Sequence, residues 1–404
     1  VGIVSARAAI DSGAMFSQRS AFEQRKNRLE LARVAAARAH GALLDLTESN
    51  PTRAGLPQLE QAFGALAQPA TRTYLPEPFG LLEAREAVSA FMARSGVTVP
   101  AENIVLTAST SEAYAFLFKL LCDPGDEVLI PAPSYPLFEH LAQLESVHVA
   151  RYPLRYDGRW HISAHELAQA ITPRTRALVT VHPNNPTGSY LKQSELAHLG
   201  TLGLPIVSDE VFAPYPLSVD ASRATSALQC RDALIFSLHG LSKLAALPQL
   251  KLAWICMSGP AVLLSQARTR LELIADSFLS VSTPVQLALP TILALHTPIT
   301  DAIRARLVHN LATLHELTAG TSVSALHVEG GWYATLRMPA LLDDEAWSLD
   351  LLSNEGVLVQ PGYFYDFATG PHVVLSLLTP EDTLREGLTR MLTRVHAVIA
   401  GAAH

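Results

Sequence analysis

The stretch Ser237–Ile255 reads SLHGLSKLAALPQLKLAWI. Lys243 follows an apolar run, a glycine and a serine, and Lys251 comes eight positions later, before a second apolar run. The two runs read as buried strands. The lysine between them reads either as a solvated loop charge or as a nucleophilic amine, and only its company elsewhere in the chain separates the two.

Apolar runs of the same kind recur at 104–107, 128–131, 147–152, 177–181, 206–208, 234–237 and 253–257. Helical patterns lie between them at 81–95, 112–121, 139–144 and 193–202. Continuous apolar strands alternating with helices predict an α/β fold with a mainly parallel, seven-stranded sheet covered on both faces.

The last hundred residues change character. Ile303, Leu307, Leu311, Leu314 and Leu317 share one helical face. Short strands are expected at 325–328, 333–337, 357–360 and 373–377, with a helix at 345–354. The final helix opens at Thr379-Pro380, a hydroxyl cap followed by proline, and ends near Gly401. This predicts a small α+β domain over 298–404, joined by 15–50 with a helix at 23–40. The large domain spans 51–297, and residues 1–14 read as a dispensable extension.

A net charge of −7 without any basic run argues against nucleic acid as a partner. Apolar runs stay far below the roughly 18 residues of a membrane span, so no membrane partner is expected. Cys122, Cys230 and Cys256 are too far apart for a zinc motif and odd in number, and read as buried free thiols. A cytoplasmic setting follows as the expectation.

Three further segments end a strand with chemistry. LTASTSEAY, 106–114, sets Ser109, Thr110 and Ser111 where a strand becomes a helix, a phosphate cradle or simply a helix cap. VHPNNPTG, 181–188, offers Asn185 in a turn at a strand's C-terminal end, where ligands collect in open α/β sheets. LPIVSDEVF, 204–212, places Asp209 after a strand, as a surface charge, a cap or the partner of a pyridine nitrogen.

Taken together with SNPTR at 49–53, YLPEPFG at 74–80, PAPSYPLF at 131–138, EGGWYA at 329–334 and QPG at 360–362, these segments resemble the fold-type-I, class I/II aminotransferases from about Leu46 to the final helix. The resemblance implies pyridoxal 5'-phosphate as cofactor, held by Lys243 as a Schiff base. Lys243 would then move the proton at the substrate's Cα, and Asp209 would pair with the pyridine nitrogen. It implies Asn185 on the ring oxygen, Tyr135 stacked on the ring, and Thr110, Ser111, Ser242 and Lys251 on the phosphate, with Ser109 beside them. Tyr74 would reach the phosphate of a neighbouring subunit, making a homodimer. The reaction implied moves an amino group from an amino acid donor to a 2-oxo acid through a pyridoxamine form. A lyase, racemase or decarboxylase of the same fold is the alternative, and a non-catalytic cofactor-binding protein a more distant one.

Three positions depart from the pattern. Phe212 stands where a tyrosine commonly donates to the cofactor's ring oxygen, so a raised pKa is expected for the lysine–cofactor linkage. Gly240 replaces a serine and Lys251 an arginine, exchanging a fork of donors for a point charge. Val374 stands where an arginine clamps the substrate carboxylate; Arg53, Arg155 and Arg337 are the candidate substitutes. His161 and His165, four apart, would share a helix face but lack a third metal ligand. Trp332 and Tyr333 read as site border or core, His239 as a neighbour of the site or polar filler, and Tyr363 and Phe364 as lining of the entrance.

Overall fold

The structure, a computed structural model, describes residues 16–22 and 27–402. The expected extension at 1–14, and residues 23–26 of the expected first helix, lie outside the described residues. That helix runs Arg28–His40, with the Asn27 side chain accepting from the backbone N–H of Glu30 at 2.8 Å.

Among the described residues fourteen strands follow in chain order. They are β1 Leu44–Asp45, β2 Ile104–Thr107, β3 Glu127–Ala132, β4 His148–Tyr156, β5 Trp160–Ile162, β6 Thr175–Val181, β7 Ile206–Asp209, β8 Ile235–Gly240, β9 Ala253–Ser258, β10 Ser324–Ala325, β11 Tyr333–Arg337, β12 Val357–Leu358, β13 Gln360–Pro361 and β14 His372–Ser376. The large sheet has the order β2-β9-β8-β7-β6-β3-β4-β5. It holds eight strands, not the seven expected. The extra one, β5, is a three-residue edge strand that doubles back on β4 and is too short to show a period in the sequence. It also separates the two histidines: His161 lies in β5, whereas His165 lies in the helix Ala164–Ala170, so they share no helix face.

β9 and β5 run against the other six strands. Every residue of β2, β8 and β9 is buried, which is why these segments read as unbroken apolar runs. One apolar cluster, with Val105, Phe118, Ile130, Phe236 and Leu271, packs on the face covered by the helices Thr110–Leu121 and Ala261–Phe278. The other face belongs to a larger cluster that includes Trp254, Ile206 and Leu289.

Beyond Thr297 the chain forms the long helix Thr297–Thr318 and a four-stranded sheet of order β10-β11-β14-β13. Ile303, Leu307 and Leu314 are fully buried as the periodicity predicts. β1 pairs in parallel with β12, Leu44 opposite Val357, and the helix Arg28–His40 packs on the helix Asp344–Glu355. Cys230 and Cys256 are buried free thiols, but Cys122 is only half-buried, because it caps the helix Thr110–Leu121 at the sheet's rim.

Candidate functional site

Strand register gathers the predicted residues at one edge of the large sheet. Val181 pairs with Asp209, Asp209 with Leu238, and Gly240 with Ala253, which in turn faces Thr107. The segments carrying Thr110, Asn185, Asp209 and Lys243 therefore leave the sheet side by side. Gly240 is the residue this closeness requires: a Cβ there would sit 3.0 Å from the Ala253 Cβ. A serine at 240 would need β9 to give way.

The edge forms one wall of a cavity of about 340 Å³ lined by Lys243, Asp209, Asn185, Thr110, Ser242 and Tyr135. Burial lowers the Lys243 amine to about 8, with Asp209 opposing that shift, and the Nζ lies 4.8 Å from the Trp332 ring and 5.5 Å from the Phe212 ring. Burial raises the Asp209 carboxyl to about 6, against the backbone N–H of Val211, which donates to Oδ1 at 3.2 Å, and the Tyr114 hydroxyl, which donates to Oδ2 at 3.3 Å. Near neutral pH the site thus holds a carboxylate and an amine that loses its proton readily.

The turn bearing Asn185 is braced from both sides. The His182 ring is buried; the N–H of Leu191 donates to its Nδ1 at 2.9 Å, and its Nε2 lies 3.0 Å from the Ala224 carbonyl. Burial holds this imidazole neutral, its pKa near 3. Asn184 is spent on structure, its Nδ2 donating to the Pro133 carbonyl and to Thr187. Asn185, by contrast, faces the cavity, and its buried Oδ1 has no partner among the described residues. Gly188, at φ +71°, comes so close to the Gly330 carbonyl that a Cβ would meet it at 2.7 Å.

The opposite wall comes from the C-terminal sheet, with Tyr333 and Gln360, and from the short helical turn Gly362–Tyr365 after it, with Phe364 and Tyr365; Ser49 lies beside them. Other predicted residues stand apart from the cavity lining. Ser109 caps its helix, accepting from the Glu112 N–H at 3.1 Å, and Ser111 follows within that helix. Lys251 is exposed in a left-handed turn, and Tyr74 is 62 % exposed. Trp332 is fully buried, so it forms the packed bed beneath Lys243, while Tyr363 is exposed. His239 sits in a buried group with Ser237, 2.9 Å away, and Glu210, 3.7 Å away.

None of the substitute arginines lines the cavity. Arg155 is exposed and forks onto Glu166, Arg337 is exposed near the Tyr156 ring, and Arg53 is exposed in the turn after Asn50. Val374 is fully buried in β14 and cannot pair with an anion. Sequence reasoning also missed Tyr114, Glu210 and the pair Gln360–Tyr365. Tyr114 and Glu210 lay inside quoted motifs with no signal to set them apart from core and loop.

Residues 41–390 match the family described as aminotransferase class I and II. The chain belongs to this family. Its members use pyridoxal 5'-phosphate to move an amino group between an amino acid and a 2-oxo acid. This aminotransferase is 28 % identical over 323 residues to the glutamate-pyruvate aminotransferase AlaA of Escherichia coli, covering 77 % of this chain and 80 % of that one. It is 29 % identical over 301 residues to the alanine aminotransferase of Mycobacterium tuberculosis, covering 72 % and 70 %. Its fold matches that of an aminotransferase from Escherichia coli with a TM-score of 0.83 at 24 % identity, over 94 % of this chain and 98 % of the other. Among the described residues no helix is long and apolar enough to cross a membrane, and no cluster of His, Cys, Asp or Glu could hold a metal.

Proposed function

We propose that this aminotransferase holds its cofactor through Lys243, with Asp209, Asn185, Thr110, Ser242 and Tyr135 around it. The observation that carries the reading is the buried Lys243 amine, brought to about 8, in the same cavity as the buried Asp209 carboxyl. The residues present suit the group. Asn185 presents its side-chain amide at the cavity wall, the NH2 end being the donor a ring oxygen needs, and the helix Thr110–Leu121 presents the N–H groups of its first turn beside the Thr110 hydroxyl. Thr110 and Ser242 form the anion-binding end at the cavity, with Ser109, Ser111 and Lys251 outside its lining, and Phe212 packs against Trp332 near the lysine.

When bound, the cofactor supplies the electron sink that makes the substrate's Cα proton acidic. Asp209 would hold a positive charge on the ring nitrogen, its carboxylate supported by the Val211 N–H and the Tyr114 hydroxyl. Lys243, once free of its proton, takes the proton from the substrate's Cα and returns it on the way back. Trp332 and Phe212 exclude water from the amine. The relatives act on glutamate, alanine and pyruvate by name, which supports a small amino acid donor and a 2-oxo acid acceptor here.

The same proposal includes a homodimer, in which the exposed Tyr74 reaches the neighbouring subunit's phosphate end, and a cytoplasmic setting consistent with the three free cysteines. It also divides the chain into 51–297 and 298–404, with 15–50 joining the latter through β1 and the helix Arg28–His40. The visible absorption of the purified holoenzyme tests the function. The cofactor band falls on adding a donor amino acid and returns with a 2-oxo acid; a band that no amino acid changes overturns the reading. Sedimentation of the wild type and Tyr74→Ala tests the dimer.

A further inference from the structure

We propose that Gln360 binds the substrate's oxygen substituent beside the amine-bearing carbon, that it does so as an uncharged donor, and that this aminotransferase therefore accepts α-amino carboxamides alongside α-amino acids. The inference rests on the reading of Lys243 above and names the substrate class of the same site.

Three observations carry it. First, among the described residues lining the cavity Lys243 is the only cation, and Asp209 is the carboxylate already present. Among one subunit's described residues a substrate carboxylate would meet no second positive charge, and burying an unpaired anion is costly.

Second, the small sheet sets Thr335, Val374 and Gln360 in one cross-strand row, Thr335 opposite Val374 and Val374 opposite Gln360. Val373 and Leu375 point the other way, into the main apolar core. The row faces the cavity side, its central member is apolar, and Gln360 is the member that lines the cavity.

Third, the Gln360 amide is oriented. The Tyr365 hydroxyl donates to its Oε1, so the end left for a ligand is the NH2 donor. The neighbouring hydroxyls stay protonated: burial raises Tyr365 well above its ordinary value, Tyr135 upward, and Tyr333 to about 12. The wall is therefore a set of neutral donors. Such donors bond a carboxamide carbonyl nearly as well as a carboxylate, whereas a guanidinium fork favours the carboxylate through charge. Tyr365 is a positioning residue for Gln360.

The chemistry balances without another reagent. The amine leaves the amide's Cα, which becomes a 2-oxo amide; the acceptor 2-oxo acid takes up the amine and the electron pair and becomes an amino acid.

The test uses the holoenzyme with L-alanine, L-phenylalanine and their carboxamides as donors, 2-oxoglutarate as acceptor, and glutamate formed as readout. A second readout is inhibition by 3-phenylpropanoate and 3-phenylpropanamide, which cannot react. The wild type is expected to show acid and amide kcat/KM within roughly tenfold, and the two inhibitors within the same factor. Gln360→Arg is expected to shift the acid-to-amide ratio toward the acid by roughly 10–100-fold, mainly in KM, and the near-isosteric Gln360→Glu to shift it toward the amide. Comparing variants cancels the different amine basicities of the donors. A wild type that prefers acids by about 1,000-fold, or a ratio that neither variant moves, overturns the proposal. If no donor reacts, the reading of Lys243 fails instead, while the two inhibition constants still decide the role of Gln360.

Discussion

The Tyr114 hydroxyl donates to Oδ2 of Asp209 at 3.3 Å, across ninety-five residues of sequence. The Val211 N–H, this bond and the Lys243 charge together offset burial at the Asp209 carboxylate. Tyr114→Phe removes one of them. The Asp209 pKa then rises, from about 6 in the cofactor-free protein, and the acid limb of the holoenzyme's kcat/KM profile moves to higher pH by the same increment. A bond of about 1 kcal/mol predicts a shift near 0.7 unit and a roughly fivefold loss of kcat/KM below it. A pH–rate profile of the two proteins checks this.

The Lys243 amine, lowered to about 8 from an ordinary 10.5, makes the cofactor-free protein pH-sensitive. Between 10.5 and 8 the unfolded chain takes up a proton that the folded one resists, so stability falls as pH drops through that window and levels off below it. Lys243→Met removes the slope. It should stabilise the apoprotein at pH 7 by about 1–3 kcal/mol relative to wild type, read by urea unfolding, while abolishing amino transfer.

Glu210, next to the site, is buried; its Oε1 accepts from the Ala227 N–H at 2.9 Å. Burial raises its carboxyl to about 7, while burial holds the nearby His239 neutral, its pKa near 4. A folded acid with a raised pKa stabilises below the unfolded value of 4.5, and that contribution is lost as pH rises to about 7. Glu210→Gln should flatten the fall in stability over this window by up to ~3 kcal/mol. Unfolding at pH 5 and pH 7.5 for both proteins reads the difference directly.

Phe212 gives the region around Lys243 an apolar ring where a phenol would offer a donor. Phe212→Tyr should stabilise the ionised ring oxygen of the bound cofactor and lower the pKa of its visible titration by about one unit. A spectrum whose midpoint does not move contradicts the role given to this position.

The proposed cofactor shell was legible because each of its parts is local. Asn185, Asp209 and Lys243 each follow an apolar strand, and short strings around them carry the pattern without knowledge of the sheet order. The strands themselves were readable for the same reason, since residues buried on both faces leave an unbroken apolar run. The edge strand β5 was not, because three residues show no period.

The α/β fold that brings strand ends to a common edge was thus legible in the sequence alone, and so was the choice of Lys243, Asp209 and Asn185 as candidates at that edge. What decided the rest was tertiary. Tyr114 looks like any core residue of an apolar helix until β2 and β7 are folded into the same sheet. Gln360 gains meaning only when β13 and β14 set it opposite Val374 and Tyr365 takes its oxygen. Sequence shows that a lysine follows a strand; the charge of the opposite wall depends on which side chains, far along the chain, the fold turns inward, and that is decided by packing rather than by neighbouring residues.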